Sequence, residues 1–348
     1  IIKNNWVNSG DGRYRLKEDG TRYENQWFST TSNPALPSSK PVTNWYYAGA
    51  DGKILRNGWY ELGGKYYYFY EWGNSPRKMF FNLEDKRYYV DEEGARKEPG
   101  WFSIDNVNSK GQPYTNWYYV TEDGSVLRDG WHDLEGMTCY FDTYGTSYRS
   151  RWFNLGDDRY YVDGNGSRQS GWFSITGTGS NGQEYTNWYH ADSNGVLWRN
   201  GWREIDGNWY YFDANGLNYR KRWYTDGNGD RYYLDEKGIL QDDGWFKLEY
   251  TNSSTGVITE NWYYASESGA VFKGGFRELE DKKYYFDING LNYRKRWLTE
   301  QSGKKRYIGD EGYLYQDQWF VISGLDSRNS DYNNWYYAGK DGYVRMDG

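Results

Sequence analysis

Side chains able to make or break bonds are few in this 348-residue sequence, while side chains able to hold a ligand by their faces are many. His132 and His190 are the only histidines and Cys139 is the only cysteine. No Gly-x-Ser-x-Gly, His-Glu-x-x-His or phosphate-loop pattern occurs. The run Asp226-Gly-Asn-Gly-Asp230 resembles the start of a calcium loop, but the glycine and the closing glutamate such a loop requires are out of place. The sequence therefore reads as non-enzymatic, with no metal and no cofactor. Against this stand 20 Trp, 40 Tyr and 14 Phe, 21% of the chain. Tryptophan returns in the phrase Asn-Trp-Tyr at 45, 117, 188, 262 and 335, at spacings of 72, 71, 74 and 73 residues. A ring face can hold a quaternary ammonium, which donates no hydrogen bond, by cation–π attraction. It can equally stack on a sugar ring.

The elements that must position these rings are repeats. Each period divides into three units. Unit A contains NWYYVTEDGSVLRDGW (116–131), unit B contains GWREIDGNWYYFDANGLNYRKRW (201–223), and unit C contains WFNLGDDRYYVDGNGSRQSGW (152–172). The whole of 1–348 reads as one array: a partial repeat at 1–27, full repeats at 28–101, 102–172, 173–245 and 246–319, and a partial repeat at 320–348. The start within a C unit and the end within an A unit suggest a piece of a longer protein. Short aromatic runs beside Asp-Gly and Asn-Gly (51–52, 123–124, 194–195, 215–216, 289–290) predict hairpins turning at those glycines. A lone hairpin is marginal in water, so the hairpins must stack and cover one another. The fold class is all-β, an elongated β-hairpin solenoid. With 42 Lys and Arg against 49 Asp and Glu, no basic stripe exists for nucleic acid. Apolar runs are too short to span a bilayer.

The skeleton Gly-Trp, six residues, Trp-Tyr-Tyr, turn, Gly-Trp resembles the Gram-positive cell-wall-binding (choline-binding) repeats, which are related to the glucan-binding repeats of glucansucrases. The stretch 201–223 carries the resemblance best. It implies three hairpins per turn and a secreted protein at the bacterial cell surface. It also implies a ligand held between successive hairpins by two Trp from one hairpin and an aromatic wall from the next, four residues before that hairpin's closing Trp. Carried over, the cages are Trp101, Trp117 and Tyr148; Trp172, Trp188 and Tyr219; and Trp245, Trp262 and Tyr293. Trp27 and Trp45 form a fourth pair with Pro76 at the wall, and Trp319 with Trp335 a fifth with nothing after it. Among B units only Trp202 with Trp209 keeps both tryptophans. C units place Arg13, Arg87, Arg159, Arg231 and Arg306 at the first position of the aromatic cluster, where arginine would repel choline and could stack on its own Trp. One cage per repeat is expected.

Two features keep other ligands open. The A-unit Trp are separated by polar inserts such as SIDNVNSKGQPYT, which read as surface loops. Arginine and glutamine could hydrogen-bond a sugar. The partner is then choline-decorated teichoic acid, bound multivalently; or an α-glucan or other cell-wall polysaccharide; or, if the rings serve only the fold, a host surface protein gripped by an adhesin or stalk.

Overall fold

The structure, a computed structural model, describes residues 2–10, 12–32, 41–325, 327 and 330–345. Among them are 28 strands and no helix, each strand pairing antiparallel with one neighbour to give fourteen two-stranded ladders. They fall into two compact units, Ile1–Gln169 and Ser170–Gly348, of seven hairpins each. In the second full repeat the A hairpin joins Gly100–Val107 to Pro113–Val120, the B hairpin Gly130–Leu134 to Met137–Phe141, and the C hairpin Arg151–Leu155 to Asp158–Val162. Among the described residues no helix is long and apolar enough to cross a membrane.

The turns differ from the sequence expectation. Hairpin tips lie before the aromatic cluster, at pairs such as Glu135-Gly136 (φ 52° and 81°) and Asp206-Gly207 (φ 51° and 76°). Two central residues at positive φ make a type I′ turn, whose twist matches the flanking strands. The expected Asp-Gly and Asn-Gly turns are corners after the second strand. Gly145 N–H bonds Asp142 O at 2.9 Å, while the Asp142 carboxylate accepts the N–H groups of Tyr144 and Thr146. Self-capping closes the corner locally, and only a single bridge such as Phe141 with Ser147 follows before the chain leaves its own hairpin. The A-unit inserts also differ: they lengthen the ladder to eight residues per strand and leave only a short turn at 108–112. Their alternation of half-buried and exposed residues suits a strand. In the first repeat, 33–40 lie outside the described residues.

The most deeply sealed residues of each unit sit at one recurring position, around which other rings and aliphatics are buried. The fourth residue of the cluster is sealed in every full repeat. It is Phe in B units (Phe69, Phe141, Phe212 and Phe286, all 0% exposed), Ala or Val in A units (Ala48, Val120, Ala191, Ala265), and Val, Leu or Ile in C units (Val90, Val162, Leu234, Ile308). Each B-unit Phe receives the Trp of the preceding A hairpin: Trp101 lies 5.7 Å from Phe141, and Trp27 5.5 Å from Phe69. A backbone stitch accompanies this packing. Within each compact unit, a hairpin's tail, after its corner, donates one N–H to the first cluster residue of the hairpin before it. Ser147 N–H bonds Trp117 O at 2.8 Å, Arg168 bonds Thr138 O at 2.8 Å, and Leu240 bonds Trp209 O at 2.9 Å. Neighbour-to-neighbour contacts of this kind are what hold a solenoid.

Candidate ligand-binding grooves

The stitch places the residues that flank each groove. In an extended tail, side chains alternate between faces. Ser147 faces the previous hairpin through its stitch, so Arg149 shares that face and Tyr148 points the other way. The Trp101 and Trp117 rings therefore meet across Arg149, whose guanidinium carbon is 5.0 and 4.3 Å from their centroids. The arrangement is the same at three of the other predicted pairs. Arg77 stands 5.2 Å from Trp27 and 4.2 Å from Trp45. Arg220 stands 5.4 Å from Trp172 and 4.2 Å from Trp188. Arg294 stands 5.7 Å from Trp245 and 4.1 Å from Trp262. Burial pulls the pKa of all four guanidiniums below the ordinary arginine value.

The tryptophans of each predicted cage thus come together, and the predicted tyrosine wall does not join them. Tyr148 packs 5.0 Å from both Tyr140 and Phe153. Tyr219 packs 5.0 Å from Tyr211, and Tyr293 5.1 Å from Tyr285. Arg151, Arg222 and Arg296 cover their outer faces at 4.1 to 4.3 Å. The group in the cage is the residue one further along the chain. Its signal was in the sequence: arginine recurs at 77, 149, 220 and 294 on the same spacing as the tryptophans. Among the described residues Trp319 and Trp335 are 67% and 65% exposed, whereas the corresponding rings of the other A hairpins are half-buried.

The arginines are not held alike. Asn218 Oδ1 accepts from Arg220 Nε at 2.9 Å, and Asn292 Oδ1 from Arg294 Nε at 3.2 Å. Ser75 and Ser147 stand at those positions in the first unit. Their hydroxyls, and Arg77 Nε and Arg149 Nε, are buried with no hydrogen-bond partner. Seryl Oγ is too short to reach.

C hairpins stack arginine on their own ring, as their sequence suggested: Arg13 on Trp6 at 4.0 Å, Arg87 on Phe80 at 4.5 Å, Arg159 on Trp152 at 4.7 Å and Arg231 on Trp223 at 4.2 Å. The last C hairpin is a correction. Because Ile308 occupies the sealed column, Lys305 takes the first cluster position and Arg306 the second, where it pairs with Glu300 and stacks 4.0 Å from Tyr343. In B hairpins the stitch residue supplies the cation. Arg96 lies 5.6 Å from Trp59 and 4.7 Å from Tyr66, and Arg168 lies 5.4 Å from Trp131.

The Trp202–Trp209 pair is different. Its stitch residue is Leu240, and the position matching Arg77 and Arg149 holds Asp242. Among the described residues no arginine or lysine lies over either ring. The result is an open groove of 380 Å³ lined by Trp202, Trp209, Tyr232, Leu240, Asp242, Glu267 and Ser268. Trp202 meets Tyr232 edge-on at 5.3 Å, and Trp209 is 43% exposed. The sequence showed the Trp pair but not the two carboxylates, which come from the tail and the next corner. A second groove of 560 Å³ runs beside Trp223, Tyr233, Phe246 and Tyr250, with Gln241 and Lys247 in its wall.

No group of three or more His, Cys, Asp and Glu among the described residues is placed to hold a metal. Asp226 caps its own corner, accepting the N–H groups of Asn228 and Asp230.

Residues 183–197, 200–217 and 221–240 match the putative cell wall binding repeat, and these segments contain most of the open Trp202–Trp209 groove. Glucosyltransferase-S of Streptococcus downei is 24% identical over 224 residues, 60% of this chain. Glucosyltransferase-S of Streptococcus mutans is 27% identical over 171 residues, 46% of this chain. The aligned regions are only 14% and 10% of the length of those two relatives. The structure of CbpJ from Streptococcus pneumoniae TIGR4 superposes with a TM-score of 0.50 at 23% identity, over 83% of this chain and all of that one, so the two share the hairpin fold.

Proposed function

From a chain that carries cell wall binding repeats, we propose a non-catalytic module of the bacterial surface that grips a wall polymer bearing quaternary ammonium groups, choline or phosphocholine on teichoic acid. The cation enters between Trp202 and Trp209. The observation that carries this reading is the contrast between that groove and the four A-unit Trp pairs covered by arginine. The open groove is lined by two indoles, Tyr232 and the apolar Leu240, with Asp242 and Glu267 also in its wall. Ring faces attract a cation that no hydrogen bond could hold, and carboxylates add attraction without needing a donor. Two faces contribute about 1 to 2 kcal/mol each, and an exposed carboxylate up to about 1 kcal/mol. A total near 4 kcal/mol corresponds to a site of about millimolar affinity. A polymer with many substituents suits such a site, because rebinding is frequent.

The test is a choline titration followed by Trp fluorescence and equilibrium dialysis. Saturable binding is expected, abolished in Trp202→Ala and weakened in Asp242→Asn. Unchanged binding in Trp202→Ala, or none in the native chain, overturns it.

A second reading rests on the 560 Å³ groove, where four rings and the donors of Gln241 and Lys247 suit a sugar ring. Retardation by dextran that is lost in Tyr250→Ala would support an α-glucan ligand. Binding to whole cells that survives both Trp202→Ala and Tyr250→Ala would point to a protein partner instead.

A further inference from the structure

We infer that Arg77, Arg149, Arg220 and Arg294 are specificity-determining residues: each is a built-in cation that occupies the Trp pair of its A hairpin and closes that groove to free ammonium ions. The inference rests on the cation reading of the open groove only for its comparison.

Three observations carry it. The guanidinium carbon lies 4.1 to 4.3 Å from the second Trp of each pair, the place a bound ammonium would take. Burial lowers the pKa of all four, yet arginine stays protonated at neutral pH, so each groove carries a fixed positive charge. An entering ammonium would have to displace the guanidinium from the ring face and sit beside its charge. Finally, the Trp202–Trp209 pair, which has a following tail but lacks this arginine, has Asp242 at the matching position, so the sign of the charge is reversed there. The number of working cation sites is therefore set by the residue two after each stitch, not by the count of Trp pairs.

The Trp pairs beneath the arginines hold a cation that is already part of the chain. Removing the guanidinium should open them. The stacking of Trp101 on Phe141 (5.7 Å) is independent of the arginine and keeps the ring in place.

The experiment counts sites by equilibrium dialysis with labelled choline on the full chain. The native protein should bind one equivalent, Arg149→Ala two, and Arg149→Ala with Arg220→Ala three. Arg149→Lys retains a cation and should stay at one. Arg149→Gln keeps the side-chain length without the charge, and serves if the alanine variant melts early. If folded Arg149→Ala and Arg149→Gln both stay at the native count, the inference is overturned. It is equally overturned if Trp117→Ala removes a site from the native chain. A native chain that binds nothing, while Arg149→Ala binds one, upholds the arginine assignment and defeats the open-groove reading, so the two failures are told apart.

Discussion

Ser147→Asn should stabilise the first unit, because it supplies a partner that the equivalent site in the second unit already has. In the native chain Arg149 Nε and Ser147 Oγ are both buried and unpaired. At the matching site Asn218 accepts from Arg220 Nε at 2.9 Å and donates its own amide to Tyr211 O at 3.3 Å. The surroundings needed for asparagine exist in the first unit. Gly166 stands where Gly238 stands, and a Cβ at Gly238 would come 2.2 Å from Asn218 Oδ1. Tyr140 O receives the Tyr148 N–H just as Tyr211 O receives that of Tyr219. A hydrogen bond to a charged donor is worth about 1.5 to 3 kcal/mol. Fixing the longer side chain costs about 1 kcal/mol, leaving a net gain of about 1 to 2 kcal/mol. Urea unfolding of the native chain and variant, followed by Trp fluorescence, reads the shift in midpoint. The same substitution in an Arg149→Met background removes the donor, so the gain should vanish there. A gain of equal size in that background, or a loss in the native one, would refute the assignment of the orphaned Nε as its source.

Phe141→Ala empties a sealed position and should destabilise the first unit by about 3 to 5 kcal/mol, whereas Val120→Ala, which leaves the Ala found at the same place in other A hairpins, should cost far less; urea midpoints compare them. His190 supplies a pH dependence: burial holds its pKa below the ordinary histidine value, opposed by Asp192 and Asp206, and its Nδ1 is buried without a partner. The unfolded chain then takes up that proton first, so the stability tied to His190 is full above about pH 6.5 and is lost as pH falls through it. His190→Tyr, restoring the residue found at 47, 119, 264 and 337, should flatten the melting temperature of the second unit between pH 7 and 5.

The all-β class was legible because it depends on spacing, and spacing survives in the sequence; the same spacing brings the Trp pairs at 27/45, 101/117, 172/188 and 245/262 to one arginine each. Phe69, Phe141, Phe212 and Phe286 could be read as structural because they recur without exception. What could not be read was side: Tyr148 and Arg149 are neighbours, and only the stitch from Ser147 decides which of them faces the tryptophans. The tips were misplaced because Asp-Gly and Asn-Gly suit both a hairpin turn and a corner, while the true tips include Glu280-Asp281, which carries no glycine. The carboxylates of the open groove come from 242 and 267, on separate segments, and no motif joins them.

The column of sealed residues also governs how this chain can change length. Its sizes run small, large, medium along A, B and C, and the Trp of each A hairpin is shaped to a Phe that only a B hairpin provides. Losing or doubling a single hairpin would set that Trp against a Val or another Ala and leave a hole or a clash. Losing or doubling a whole period of 71 to 74 residues returns every side chain to a neighbour of the kind it had. Recombination between repeats is thereby filtered to whole periods, and each full period brings with it the arginine of its own A-unit Trp pair, at 77, 149, 220 or 294.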